Sequence, residues 1–219
     1  GTGCWVLQAD DVKVEYFGAK GDHTTDDYVA INNAAQYAAK NNQALKFSDK
    51  VYLCLSEIVI DGADTLFKAV RWVGTFKGTA TSAEYSYWTG TQGTVILTKG
   101  NNLLTTKFKR LVNENIIVDG VAFVDETNKY PNNTAKYAIK ISKGDPSVFP
   151  DHARYITGLQ FNNVAFVGYQ QPVIFRGNYT KSQGGYTANY IGPTFFNYCY
   201  VYKCNNGIVA ENATLNRLS

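Results

Sequence analysis

Six carboxylates fall in polar, loop-like stretches of the chain: Glu84, Asp119, Asp125, Glu126, Asp145 and Asp151. Two such groups on either side of a glycosidic bond can hydrolyse it, one as the acid and the other as base or nucleophile. Asp125, Glu126 and Asp151 are the candidates for that work. The run Asp151-His152-Ala153-Arg154 adds an imidazole and a guanidinium within four residues. Such groups suit a different reaction, removal of the proton α to a uronate carboxylate while the negative charge is neutralised. The simpler use of an isolated loop histidine is solvation, and Asp119-Gly120 matches an ordinary turn equally well.

Aromatic residues cluster in the same kind of segment. The glycine-bounded stretch 78–93 holds Tyr85, Tyr87 and Trp88, and a later one holds Tyr179, Tyr186 and Tyr190. Flat rings of this type stack on the C–H faces of sugars, which makes these six the candidate substrate-binding residues. Packing within an irregular loop, or against another subunit, would use them as well. Metal and cofactor chemistry find no support. Cys4, Cys54, Cys199 and Cys204 lack any C-x-x-C spacing, so buried thiols are expected in place of zinc, redox or disulfide chemistry.

The elements that would carry these residues read as short strands. Three segments superpose, those starting at Ile116, Leu159 and Phe195, and they match Phe123, Phe166 and Val201. A second strand follows each one, and its residues Ile139, Ile174 and Val209 are spaced 35 apart. Repetition at this scale marks a solenoid whose units bury their apolar face only against neighbouring units. The first repeat carries eight extra residues around 125–133. The returning loops 142–155 and 177–193 should leave one corner side by side and wall a surface groove. Earlier strands are expected at 45–47, 51–55, 58–60, 70–74 and 94–96.

One helix stands out from this pattern. Apolar residues at Ala30, Ile31, Ala34, Ala35 and Ala38 form a small-faced stripe. The preceding Thr24-Thr25-Asp26-Asp27 offers acceptors for its free N–H groups, and Gly18 and Gly21 permit a tight turn before it. Composition agrees with an all-β chain rich in Val, Ile, Tyr, Phe and Thr. The net charge of +3 is spread evenly, which argues against nucleic-acid binding. No apolar run reaches the ~18 residues of a membrane span, and no signal peptide is visible. The sequence contains no methionine, so a piece of a longer chain is expected.

The run Phe17-Gly18-Ala19-Lys20-Gly21-Asp22, with Thr25-Asp26-Asp27 and Ala30-Ile31, resembles the opening motif of the pectate-lyase-like superfamily. That superfamily includes phage tailspikes, polysaccharide depolymerases and polygalacturonases. His23 stands where the family pattern has Gly. The Gly-His-Gly and mid-helix Asp-Asp signatures of polygalacturonases are absent. The resemblance is best over residues 12–60, with repeat-level support to about residue 212. It implies a single-stranded right-handed parallel β-helix, pectin-lyase-like, with an N-terminal capping α-helix.

On this reading residues 1–11 are a linker and first strand, 12–44 the opening motif and helix, and 45–219 coils that are incomplete at the C-terminus. The implied function is that of a phage tailspike, a homotrimer in the virion tail made in the bacterial cytoplasm, which recognises and depolymerises a bacterial surface polysaccharide. A non-catalytic receptor-binding or structural tail component is the alternative, and a secreted pectinase-like enzyme a further one. Sequons at Asn133, Asn178 and Asn212 would matter only in a eukaryotic secreted protein.

Overall fold

The computed structural model describes residues 11–61, 69–77, 93–108, 115–127, 129–143, 154–156, 158–176, 181–182, 185–186, 189–191, 194–211 and 214–215. Their strands stack in parallel sheets that run along one axis. Sheet A stacks Val12–Lys13, Ala44–Lys46, Ala69–Val73, Asn115–Asp119, Leu159–Asn162 and Thr194–Asn197. Sheet B stacks Asp22–Asp26, Val51–Leu53, Thr94–Thr98, Val121–Asp125, Ala165–Val167 and Tyr200–Tyr202. Sheet C stacks Ile58–Asp61, Leu104–Phe108, Ile139–Lys143, Val173–Arg176 and Ile208–Glu211. Each turn of chain visits A, then B, then C, and pairs only with the turns beside it. This is a parallel β-helix with one N-terminal helix.

Alternation along each strand decides what fills the interior. In sheet A, Leu45, Trp72, Val118 and Phe161 are buried and adjacent in register, while Ala44, Arg71, Ile117 and Gln160 point the other way. Sheet B sends Tyr52, Ile96, Phe123 and Phe166 inward, and sheet C contributes Ile58, Leu104, Ile139 and Val173. Aromatic contacts link successive turns: Trp72 lies 6.4 Å from Phe123, Phe123 stacks on Phe166 at 5.6 Å, and Phe161 stacks on Phe196 at 4.8 Å. Each such pair adds about 0.5–1.5 kcal/mol beyond its buried area.

The faces of the solenoid differ. The outer positions of sheet B are also apolar and buried, with Val51, Leu53, Val95, Leu97, Ala122 and Val124 forming a second cluster with Phe76. Strands covered on both faces read as continuous apolar runs, as Thr94–Thr98 does. Sheet A alternates instead, and its outer face is half-buried or exposed at Arg71, Asp119, Gln160, Asn162 and Asn197. Turns between A and B are tight. Gly120 has φ +65°, and a Cβ there would lie 2.6 Å from the carbonyl oxygen of Gly74, so this corner requires glycine.

The helix α1 spans Tyr28–Asn41 and occupies the place of the first turn's sheet C strand. It buries Ala30, Ile31, Ala34, Ala35, Ala38 and Ala39 in the main core, and Gln36 Nε2 donates 2.6 Å to the Val59 carbonyl. The residues before it act as the expected cap only in part. Asp22–Asp26 form a strand, with a register shift against Val51–Leu53, and no side chain caps α1 from the N-cap position, Asp27. The Asp27 carboxylate turns away from the helix and accepts from Lys20 N at 2.7 Å and Gly21 N at 3.0 Å. It pins the glycine turn. Asp26 Oδ1 does meet the helix, accepting from Tyr28 N, and also from Leu55 N, each at 3.1 Å. His23 sits at φ +69°, the left-handed region that favours glycine.

Register confirms one repeat match and corrects two. Phe123, Phe166 and Val201 lie opposite one another as expected. Ile139, however, faces Val173, and Lys140 is the partner of Ile174. The first step is therefore 34 residues and the second 35, Ile174 to Val209. The third segment also starts one residue earlier, with Thr194 opposite Leu159.

The loops after the fourth and fifth turns end in strands of their own. Arg154–Ile156 pairs in parallel with Asn189–Ile191, which pairs with Thr214–Leu215, forming a small sheet D. The two loops thus pair residue by residue at their ends. A hairpin, Lys181–Ser182 with Gly185–Tyr186, lies within the second loop. Among the described residues no helix is long and apolar enough to cross a membrane.

Candidate functional site

Among the described residues, sheet A offers a polar surface of regular geometry. Its outer residues form two rows along the axis, with rungs about 4.8 Å apart. One row runs Ala44, Arg71, Ile117, Gln160, Phe195, and the other Lys46, Val73, Asp119, Asn162, Asn197. Asn197 Nδ2 donates to Asn162 Oδ1 at 2.8 Å, and Asn163 Nδ2 donates to Asp119 Oδ1 at 3.3 Å. Lys46 is paired with Asp11. Amides, a carboxylate, a guanidinium and an aromatic ring therefore share one face. This is the repertoire that binds sugar hydroxyls and ring faces. Sheet D leads into it, since Arg154–Ile156 and Asn189–Ile191 immediately precede the Leu159–Asn162 and Thr194–Asn197 strands.

The sequence candidates distribute unevenly around this face. Arg154 and Tyr190 lie on paired strands of sheet D, Arg154 opposite Asn189 and Tyr155 opposite Tyr190. Tyr186 pairs with Lys181 in the hairpin. Asp151, His152, Tyr85, Tyr87, Trp88 and Tyr179 lie outside the described residues, as do Glu84 and Asp145.

Asp125 and Glu126 sit at a different corner, where sheet B turns toward sheet C. Asp125 is fully buried, and its carboxylate accepts from Gly100 N at 2.7 Å, Thr127 N at 3.2 Å and Thr127 Oγ1 at 2.8 Å. Those bonds hold the turn and leave it no face toward a polymer. Glu126 is exposed and lies 3.2 Å from Lys99 Nζ and 3.9 Å from His23 Nε2. The two neighbours thus do not flank a common point.

Two further polar networks are structural. Tyr137 donates to Glu57 at 2.9 Å, and the Thr105 hydroxyl also bonds Glu57. Burial pushes the Tyr137 phenol up to about 12, helped by the Glu57 carboxylate, which removes it as a base near neutrality. Asn133, one of the three sequon residues, is 3% exposed, and its amide donates to Tyr169 O, Lys203 O and Asn205 Oδ1. It holds a corner between turns. Cys54, Cys199 and Cys204 are free thiols, the first buried and the others half-buried, and burial raises all three. Among the described residues no three His, Cys, Asp or Glu side chains are placed to hold a metal ion.

Sequence reasoning passed over Arg71, Gln160, Asn162 and Asn197. The signal was available in the superposed repeats, where every second residue between inward apolar positions must face outward. Stacking those columns yields the amide row directly.

The fold and this face define a parallel β-helix with a polar, solvent-facing sheet. No family model and no curated protein sequence matches the chain. Among solved structures, Geobacillus virus E2 ORF18 is similar over 87% of this chain and 42% of its own, at 19% identity and a TM-score of 0.35. The chain spans less than half the length of that protein.

Proposed function

We propose that this chain is the polysaccharide-recognising β-helix of a phage tailspike, and that the glycan lies along the outer face of sheet A. One observation carries the reading: the polar row of the Asp119 carboxylate and the Asn162 and Asn197 amides beside Gln160 and Phe195, on a sheet whose other face is core. Loops of a solenoid supply chemistry, while its regular face supplies repeated contacts to a repeating polymer. Sheet D, bearing Arg154 and Tyr190, borders that face at its later turns. Cleavage by hydrolysis or elimination would draw on Asp151 and His152, which precede Arg154 in the same loop. Assembly as a homotrimer in the virion tail belongs to the same reading.

The second reading is a receptor-binding tail component that retains glycan without cutting it, the amides and ring of sheet A serving as contacts alone. Incubation with purified capsular and lipopolysaccharide preparations separates the two. Release of reducing ends supports cleavage, with ultraviolet absorbance of unsaturated uronates marking elimination. Retention alone supports the receptor. Failure to retain any bacterial surface polysaccharide contradicts both.

A further inference from the structure

We propose that Asn206 is a site of spontaneous covalent modification, at which the side-chain amide is lost as ammonia and the backbone nitrogen of Gly207 takes its place. Asn206 is the one asparagine of the chain that glycine follows. Both residues are exposed, at the corner between Tyr200–Tyr202 of sheet B and Ile208–Glu211 of sheet C. Among the described residues neither the Asn206 side chain nor the Gly207 N–H has a hydrogen-bond partner. A Cβ at Gly207 would meet nothing within 4 Å, so the side chain has room to swing onto that nitrogen. The chain leading into the corner is held, Asn205 N donating to Tyr169 O at 3.1 Å and Asn206 N to Gln170 O at 2.8 Å.

Other polar groups of the solenoid lack this freedom. Asn205 donates to Pro131 O, Asn197 to Asn162 and Asn163 to Asp119. Asp119-Gly120 has a carboxyl group before a glycine, but Gly120 N donates to Asn162 O at 2.9 Å, which occupies the would-be nucleophile.

The step balances with water as its only co-reactant. The Gly207 nitrogen gives up its proton and bonds to Asn206 Cγ; the Cγ–Nδ2 bond breaks, and Nδ2 leaves with that proton as ammonia. Glycine suits this attack because no Cβ crowds its nitrogen. Water then opens the cyclic imide. Opening at Cγ gives aspartate, and opening at the backbone carbonyl gives isoaspartate, with the chain rerouted through the side chain. Either product adds a negative charge at the corner. Isoaspartate also lengthens the backbone directly before Ile208–Glu211, which pairs with Val173–Arg176 and packs Ile208 against the core. That strand should loosen from the sheet.

Peptide mass mapping of the intact chain, kept folded in heavy-oxygen water at neutral and at mildly alkaline pH, tests the assignment. Asn206 should convert ahead of every other asparagine and faster at the higher pH, with water oxygen in the new carboxyl group. Gly207→Ala should slow the conversion while its urea midpoint stays at the wild-type value. Asn206 left intact, conversion confined to the urea-unfolded chain, or an unchanged rate in folded Gly207→Ala each overturns the assignment. Should that variant lose its fold, the order of conversion among the wild-type asparagines decides alone.

Discussion

Replacing Phe123 by alanine removes the middle of the aromatic column. Phe123 is fully buried, 6.4 Å from Trp72 on one side and 5.6 Å from Phe166 on the other. Deleting a buried phenylalanine costs about 3–5 kcal/mol, because a cavity remains where the stacked turns cannot collapse. Phe196, at the last described turn of sheet A, stacks on Phe161 at 4.8 Å but is only partly buried. Phe196→Ala forfeits one ring contact and part of a side chain's burial, about 1–2 kcal/mol. For a chain of this size the first change lowers Tm by roughly 6–20 °C and the second by a few degrees. Equilibrium urea denaturation followed by far-UV circular dichroism and tryptophan fluorescence measures both. Equal losses at the two positions would refute the stacking order and the gradient of burial along the axis.

Other perturbations follow from particular contacts. Gly120→Ala should lose more than about 2 kcal/mol, since φ +65° disfavours any side chain and the clash is with the backbone of Gly74; Gly207→Ala, with nothing within 4 Å, should be tolerated in the same urea assay. Tyr52→Phe removes a hydroxyl that donates 2.5 Å to Glu15 and accepts from Ser48 N at 3.0 Å, a loss of about 1.5–3 kcal/mol at neutral pH. Burial works against the Glu15 charge, but the Tyr52 and Ser48 bonds hold its pKa below the ordinary value. That stabilisation is therefore present above the unfolded pKa and disappears as pH falls through the folded one, so the gap between wild type and Tyr52→Phe should narrow on acidification. Cys54, its thiol pushed up to about 12 by burial and bonded to Ser56 O at 3.2 Å, should resist alkylation until the chain unfolds, as peptide mass mapping will report.

The helix and the core columns were legible because their signals are local. Ala30, Ile31, Ala34, Ala35 and Ala38 keep a helical period, and all five are buried. Phe123 and Phe166 kept their match because Val121-Ala122-Phe123-Val124 and Val164-Ala165-Phe166-Val167 repeat residue for residue, and Val201 kept it by the same eight-residue interval to the next strand. Register failed at Ile139 for a physical reason. Val173 and Ile174 are both apolar and both buried, so the period of two has no visible phase there. Lys140, facing outward opposite Ile174, held the missing phase.

The functional surface was less legible, since it depends on what lies beside each residue across the turns. Arg71 reads in sequence as an ordinary solvated cation in a strand. Only the structure shows that Ala44 and Ile117 flank it in register and that its Nε has no partner among the described residues. Asp27 erred in the opposite way. Its place before a helix suggested a cap, whereas two backbone N–H groups of the preceding turn claimed its carboxylate. The short strands of sheet D carry no alternation long enough to detect, although the loops holding them were expected to run side by side.

The side-chain amide resonances of the intact chain, recorded during titration with a retained bacterial polysaccharide, test the central claim most directly. The account predicts shifts at Gln160, Asn162 and Asn197, with Asn101, Asn133 and Asn205 at the opposite corner unmoved. Shifts confined to that corner, or binding that leaves the sheet A amides unchanged, would contradict it.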